Sequence, residues 1–260
     1  MSTLLKHLNN TTISSFVLFI ITLMLLLLAC YGGKYLFQRR QGKDNLDDTE
    51  TSIVLGAILS LLALMIGFVL SISIQGFDER QKTEQNEAIA IGSAYQYSKL
   101  LDPKSQIQVK QLLDQYLAVR IDFFMADPND SINDLKNHSL ALQSEVWDII
   151  VKLNNASSKT DLSLVMSAYN ELYSSQQKTY ASWKVKIPNA AWLLLITFAF
   201  FTNMLIGYNI RGMKGHNWLM LILPILTTLA LFIIADIDTP GEGIINFTPS
   251  NLVSIKQQLE

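Results

Sequence analysis

The chain has 260 residues, of which 50% are hydrophobic and 16% are charged, and its formal net charge of −2 gives no electrostatic reason to expect a nucleic-acid partner. One cysteine cannot form a disulfide framework, and the three histidines lie far apart, without the spacing of a metal site. The apolar residues gather in four blocks near the two ends of the chain. This distribution predicts a multi-pass membrane protein with one extramembrane domain.

The first two apolar blocks predict membrane spans at about residues 14–36 and 53–75, which form an N-terminal membrane region over residues 1–75. The first block is longer than the apolar core of a signal peptide, and Lys34 follows it in a basic flank. We therefore expect a retained span rather than a cleaved leader.

The second span continues without a helix breaker to about residue 98, which predicts one long helix that leaves the bilayer and enters the soluble domain. Small residues recur along its apolar half at steps of three and four, so they share one side of the helix. They are Gly56, Ser60, Ala63, Gly67 and Ser71. Such a face allows close helix packing inside one chain, and it is also typical of a self-association or pore-lining face.

The middle of the chain, residues 76–188, predicts an antiparallel four-helix bundle inserted between the second and third spans. Its first helix is the extension of the second span. Asp102-Pro103 predicts the N-cap and first residue of the next helix. Two further helices follow, with apolar residues at intervals of three and four, and the last ends before Pro188.

The C-terminal membrane region, residues 189–236, predicts spans at about 190–210 and 218–235, the last with Pro224 inside it. The tail, 237–260, predicts a short helix after Thr248-Pro249. This helix is too small to fold alone, so we expect it to dock on the bundle or the membrane. The predicted fold class is all-α, a polytopic membrane protein with four spans.

Charged residues gather where the spans meet the bundle. Asp236 and Asp238 end the fourth span, and carboxylates at that depth are costly unless they are paired or hydrated. Arg80 and Lys82 emerge on the same membrane side. An interfacial ion pair is the simplest interpretation, and an ion or proton site is the alternative.

The distribution of basic residues predicts the orientation. Four spans place both termini and the bundle on one side of the membrane. The two short loops on the other side carry six basic residues, which are Lys34, Arg39, Arg40, Lys43, Arg211 and Lys214, while the short tails carry Lys6 and Lys256. Because basic loops stay in the cytoplasm, the count predicts a bundle outside it.

Two motifs resemble a bacterial family of membrane proteins that are described as bestrophin-like. One is the run from Glu87 to Tyr95, which includes Gly92. The other is Asp236-Ile237-Asp238-Thr239-Pro240, where Thr239 replaces the usual arginine. The resemblance covers about residues 15–258.

The resemblance implies a bacterial inner-membrane protein and marks Glu87, Gly92, Tyr95 and Pro240 as family positions. Bestrophins are pentameric anion channels, so it also implies a homo-oligomer in a lipid bilayer and a small anion as ligand. Their helical domain lies in the cytosol, which is opposite to the side that the charge count predicts.

Motifs of nucleophilic, phosphate-binding or zinc-dependent catalysis are not found in the sequence, so we expect a non-enzyme without a cofactor. The first functional hypothesis is an oligomeric, bestrophin-like anion channel with the second span lining or framing the pore. The alternative is a non-conducting membrane sensor or scaffold that acts through its bundle and a partner protein.

Overall fold

A computed structural model describes residues 2–40, 48–126, 132–156, 162–209, 219–239, 245 and 247–259. All elements within these residues are α-helices. They are α1 (Ser2–Arg40), α2 (Asp48–Ser98), α3 (Pro103–Met125), α4 (Ile132–Ala156), α5 (Ser163–Lys184), α6 (Asn189–Asn209), α7 (Leu219–Asp238) and α8 (Ser250–Leu259). The all-α prediction is therefore confirmed.

Among the described residues, four helical stretches are long and apolar enough to cross a membrane. Their bounds are Phe16–Leu36, Ser52–Ser98, Ser163–Asn209 and Met220–Asp238, and each overlaps one of the four predicted spans. Helix α2 also confirms the prediction of one unbroken helix, since it runs for 51 residues from the apolar half into the polar half.

The chain divides into two compact units. One contains Met1–Gln75 and Lys186–Ile245, and the other contains Gly76–Val185 and Asn246–Glu260. Helix α8 belongs to the second of these units.

The apolar unit consists of α1, the apolar half of α2, α6 and α7. Its core is built from aliphatic side chains that are at most 5% exposed, namely Leu26, Leu62, Val69, Leu195, Ala199, Leu231 and Ile234. The Ser73 hydroxyl of α2 donates a hydrogen bond of 3.1 Å to the Ile234 carbonyl of α7. The Ser73 hydroxyl therefore has a hydrogen-bond acceptor in a part of the chain where water is scarce.

Helices α1 and α6 meet through two glycines. A Cβ at Gly33 would collide with the carbonyl group of Met204, and a Cβ at Gly207 would collide with that of Cys30. Glycine is needed at both positions because the backbones themselves are in contact. Along α6, Gly207 continues a series of buried residues at four-residue intervals, which are Leu195, Ala199 and Asn203.

The helical unit consists of the polar half of α2 with α3, α4, α5 and α8. Helix α3 begins as predicted, since the Asp102 carboxylate accepts a 3.1 Å hydrogen bond from the Ser105 backbone amide and Pro103 occupies the first turn. Side chains from all five helices share the core, among them Ile91, Val109, Ile150, Val165 and Leu252, all fully buried. The short C-terminal helix therefore docks on this unit.

We predict that Gly207→Ala lowers the melting temperature of the detergent-solubilised protein. The new methyl group must push α6 away from the α1 backbone, and overpacking of this kind costs about 1–3 kcal/mol. Gly32→Ala is the matched control, because a Cβ there meets nothing within 4 Å among the described residues. Thermal unfolding followed by circular dichroism measures the difference, and equal melting temperatures would contradict the close packing of α1 and α6.

Candidate functional site

The small-residue face of α2 is exposed in the single chain. Gly56, Ser60, Ala63, Gly67 and Ser71 are all exposed. A Cβ at the first or the fourth of these positions would meet nothing within 4 Å among the described residues. Packing inside one chain is therefore not supported at these glycines.

The opposite side of the same helix does the packing. Leu62, Val69 and Ser73 of α2 are 3% exposed or less. The hydroxyl groups of the exposed face are tied to the helix itself, since Ser60 donates to the Gly56 carbonyl at 2.9 Å and Ser71 accepts from the Gln75 side chain at 3.2 Å. Both hydroxyl groups are thus engaged within α2, that of Ser60 as a donor and that of Ser71 as an acceptor.

The two aspartates that end α7 bind backbone amides. Asp236 accepts a 2.8 Å hydrogen bond from the Ile245 amide, and Asp238 accepts one of 2.9 Å from the Ile187 amide. Both carboxylates are less than 10% exposed. They fix the backbone that follows α7 and the backbone that precedes α6, and charge-assisted bonds of this kind are strong.

The two basic residues predicted beside these aspartates differ in environment. Arg80 is 1% exposed, whereas Lys82 is exposed. Among the described residues, no group of three or more His, Cys, Asp or Glu side chains could hold a metal ion.

Glu87, a family-motif position, is fully buried at the centre of the helical unit. Its carboxylate forms a bidentate ion pair with Arg120 of α3. Arg120 Nε donates to Oε1 of Glu87, and Nη2 donates to Oε2 at 3.0 Å. Tyr116 donates to Oε1 at 3.0 Å, and Thr179 of α5 donates to Oε2 at 2.7 Å. Four hydrogen bonds from two other helices therefore converge on one carboxylate.

The hydrogen-bond network continues from Arg120 to α4 and α5. Arg120 Nη1 donates to the Tyr180 hydroxyl at 2.9 Å, and Gln176 donates to the same oxygen at 2.9 Å. Ser139 of α4 lies 3.0 Å from that hydroxyl and accepts from Gln176 at 2.6 Å. Through these contacts α2, α3, α4 and α5 share one polar cluster.

Aromatic rings surround the buried guanidinium. The Arg120 carbon Cζ lies 4.4 Å from the ring centre of Phe123 and 4.9 Å from that of Tyr180. Burial lowers the pKa of Arg120, but the Glu87 charge, the hydrogen bond to Glu87 and the smaller contributions of Tyr116 and Tyr180 together outweigh burial, so the net pKa is raised. Burial, followed by the Glu87 charge, raises the pKa of Tyr116. The cation therefore stays protonated and Tyr116 stays a hydrogen-bond donor.

Arg120 is a residue that the sequence interpretation missed. It lies four positions after Tyr116 and three before Phe123, on the side of α3 whose other members are apolar and buried. A charged residue on an apolar helix face indicates a buried partner. The sequence does not reveal which carboxylate that partner is.

The other family positions serve the packing of the helical unit. Gly92 lies under α8, where a Cβ would come within 3.1 Å of the Ile255 side chain. The Tyr95 hydroxyl donates to the Asp114 carboxylate, and burial followed by this hydrogen bond raises the pKa of Tyr95. Pro240 lies outside the described residues.

A second buried carboxylate of α2 holds α8. Glu84, 1% exposed, accepts hydrogen bonds from the Leu252 backbone amide at 2.9 Å and from the Asn251 side chain at 2.6 Å. The first turn of a helix has unpaired amides and a partial positive charge, so a carboxylate there is favourable. The ring centre of Phe247 also lies 5.5 Å from that of Phe124. Both contacts hold the C-terminal segment on the helical unit.

Comparison with known proteins settles the family. Residues 24–252 match the family model of the bestrophin-like domain. The chain belongs to the bestrophin-like family. Among curated proteins, no relative matches the chain.

Solved structures share the bestrophin-like fold. One variant of the bacterial bestrophin homologue from Klebsiella pneumoniae is 17% identical, with a TM-score of 0.70 over 95% of this chain and 97% of that one. Another structure of the homologue is 16% identical, with a TM-score of 0.66 over 92% of this chain and 96% of that one. Identities this low show a shared fold and not a shared activity.

We predict that Arg120→Met strongly destabilises the protein. The substitution leaves the Glu87 carboxylate buried without its cation, and breaking one side of a buried pair costs about 3–5 kcal/mol. The double variant Glu87→Gln/Arg120→Met removes the stranded charge, so it is expected to regain part of the lost stability.

The control for this experiment is Glu171→Gln. Glu171 pairs with Lys178 at 3.7 Å, and both side chains are more than half exposed. Exposed pairs contribute about 0–1 kcal/mol. Thermal unfolding of the full chain compares the variants, and similar melting temperatures for Arg120→Met and Glu171→Gln would refute the central role of the buried pair.

Proposed function

We propose that this protein is one subunit of a homo-oligomeric ion channel, in which the small-residue face of α2 lines or frames the pore. The observation that carries the proposal is the exposure of that face in the single chain. Membership of the bestrophin-like family supports it, because bestrophins are oligomeric channels and small anions are the expected permeant ions.

The chemistry of α2 suits the centre of an oligomer. Small side chains let neighbouring copies of the helix approach closely, which gains dispersion contacts in a solvent that gives no hydrophobic drive. The same side chains leave room for a narrow water-filled path between the helices. Bulky exposed residues such as Leu64 and Phe68 lie on neighbouring parts of the surface, where they can contact lipid.

The exposed side of α2 extends a short way beyond its apolar half. Asp78 and Gln85 are exposed, whereas Ala88 is 2% exposed and belongs to the core of the helical unit. The proposed path is therefore confined to the apolar half of α2.

We predict that Gly67→Leu reduces chloride flux by at least tenfold, or dissociates the oligomer, because a branched side chain then occupies the small-residue face. Phe68→Leu is the control, since it changes an exposed neighbour that is outside this face. Mass measurement in detergent and chloride efflux from liposomes test both variants beside the unmodified protein.

An unmodified protein that is monomeric, or oligomeric without flux under any ion gradient, would overturn the channel proposal. It would favour the non-conducting sensor or scaffold. Equal flux and equal mass for the Gly67→Leu protein would show that this face of α2 contacts lipid only.

We further propose that the protein resides in the bacterial inner membrane with its helical unit in the periplasm, as the basic loops indicate. In a Cys30→Ala background, Ile107→Cys places a thiol at a position that is 61% exposed on the helical unit. Gln41→Cys places one in the first basic loop.

We expect a membrane-impermeant maleimide to label Ile107→Cys in intact cells and Gln41→Cys only after the membrane is opened. The reverse pattern would put the helical unit in the cytosol, as in bestrophins. The experiment separates the two orientations whether or not the protein conducts ions.

A further inference from the structure

Three buried oxygen atoms of the apolar unit have no hydrogen-bond partner among the described residues. They are Oγ1 of Thr202 and Oδ1 of Asn203 on α6, and Oγ1 of Thr228 on α7. All three side chains are fully buried. A polar group enclosed in this way is costly, because the hydrogen bonds that it makes in water are not replaced.

The three oxygens lie at a similar depth in the apolar unit. Both helices contribute to its aliphatic core, α6 through Ala199 and α7 through Leu231. On α6 the two polar residues follow Ala199 by about one helical turn, and on α7 Thr228 precedes Leu231 by about one turn. Because consecutive spans run in opposite directions, both steps lead to the same side of that core. We call Thr202, Asn203 and Thr228 the polar layer.

Two other threonines of the spans satisfy their hydroxyl groups within their own helix. Thr22 donates to the fourth preceding carbonyl at 2.9 Å, and Thr197 donates to the fourth preceding carbonyl at 2.7 Å. This bond is a common way in which a helix accommodates a threonine. Thr202 and Thr228 do not form it, so their hydroxyl groups remain available to another partner.

The backbone ladder of α7 is interrupted one turn before Thr228. Pro224 has no backbone N–H, so the Met220 carbonyl receives no hydrogen bond from that position of the helix. The Cys30 thiol of α1 donates to this carbonyl oxygen at 3.9 Å, and a thiol is a weak donor. Helices bend most sharply at proline. The turn beside the polar layer is therefore the point at which α7 can move as a hinge.

We propose that α7 moves about Pro224 between this closed arrangement and an open one, in which water enters between α6 and α7 and hydrates the polar layer. Hydration supplies the three oxygens with the partners that they lack in the closed arrangement. The free-energy difference between the two arrangements is thereby reduced, so the open one is populated. The inference does not depend on the proposed channel activity.

Thiol accessibility of the full chain in liposomes tests the opening. In a Cys30→Ser background, which keeps a donor for the Met220 carbonyl, Thr228→Cys reports on the polar layer. Ile234→Cys is the matched control, because this residue of α7 is equally buried and lies nearer the end of the helix. A small water-soluble methanethiosulfonate should modify the thiol at position 228 about tenfold faster than that at position 234, since water enters only at the first.

Valine substitutions test the role of the hydroxyl groups. Thr202→Val keeps the shape of the side chain but removes the unpaired group, so it should raise the melting temperature by about 2–4 °C. In the Thr228→Cys protein, the same substitution should slow the modification of the thiol, because the polar layer then attracts less water. Thr197→Val is the control, since its hydroxyl is bonded to its own helix, and it should produce neither effect.

Two results would overturn the proposal. Equal rates of modification at positions 228 and 234 would show that water does not reach the polar layer in preference to the apolar core. A lower melting temperature for Thr202→Val would show that its hydroxyl already has a partner in the closed arrangement, so hydration would offer it no gain.

A folding defect in Thr228→Cys is detected by its melting temperature. Asn203→Cys then serves as a second reporter, on the facing helix α6, with Leu195→Cys as its equally buried control. Faster modification at position 203 than at position 195 supports the opening, and equal modification contradicts it.

Discussion

A carboxylate and a guanidinium, both without solvent exposure, face each other in the helical unit, and much of that unit is arranged to satisfy them. Burying Glu87 and Arg120 separately would cost several kcal/mol for each ion, so their hydrogen-bonding capacity must be met by the protein. Tyr116, Thr179 and Tyr180 supply the remaining partners. One ion pair therefore constrains side chains on several helices and fixes how those helices are rotated against each other.

The apolar unit is stabilised in a different way, because lipid supplies no hydrophobic driving force for helix association and few polar partners. Its small residues have two separate uses. Gly33 and Gly207 bring two backbones of the same chain into contact, whereas Gly56 and Gly67 on α2 face outward. Glycine therefore marks close packing within the chain at the first pair of positions. At the second pair it marks a surface that is available to another molecule.

Local features made much of the fold predictable from the sequence. The unbroken apolar run fixed the second span, and Asp102 with Pro103 marked the start of α3, since both signals act over a few residues. The partners of Glu84 and Glu87 could not be predicted, because Leu252 and Arg120 are distant in the chain and only the tertiary fold brings them close. The role of Gly207 could not be predicted for the same reason, because the backbone that it contacts depends on which helices pack together.

The contact between Glu84 and α8 sets an order of events during synthesis. The helical unit needs Leu252 in its core, yet the ribosome makes this residue only after both spans of the C-terminal membrane region. At about 5–20 residues per second, several seconds pass between the end of α5 and the appearance of α8. During that interval α8 cannot cover the core around Leu252, so the nascent helical unit exposes apolar surface to water until α8 is made.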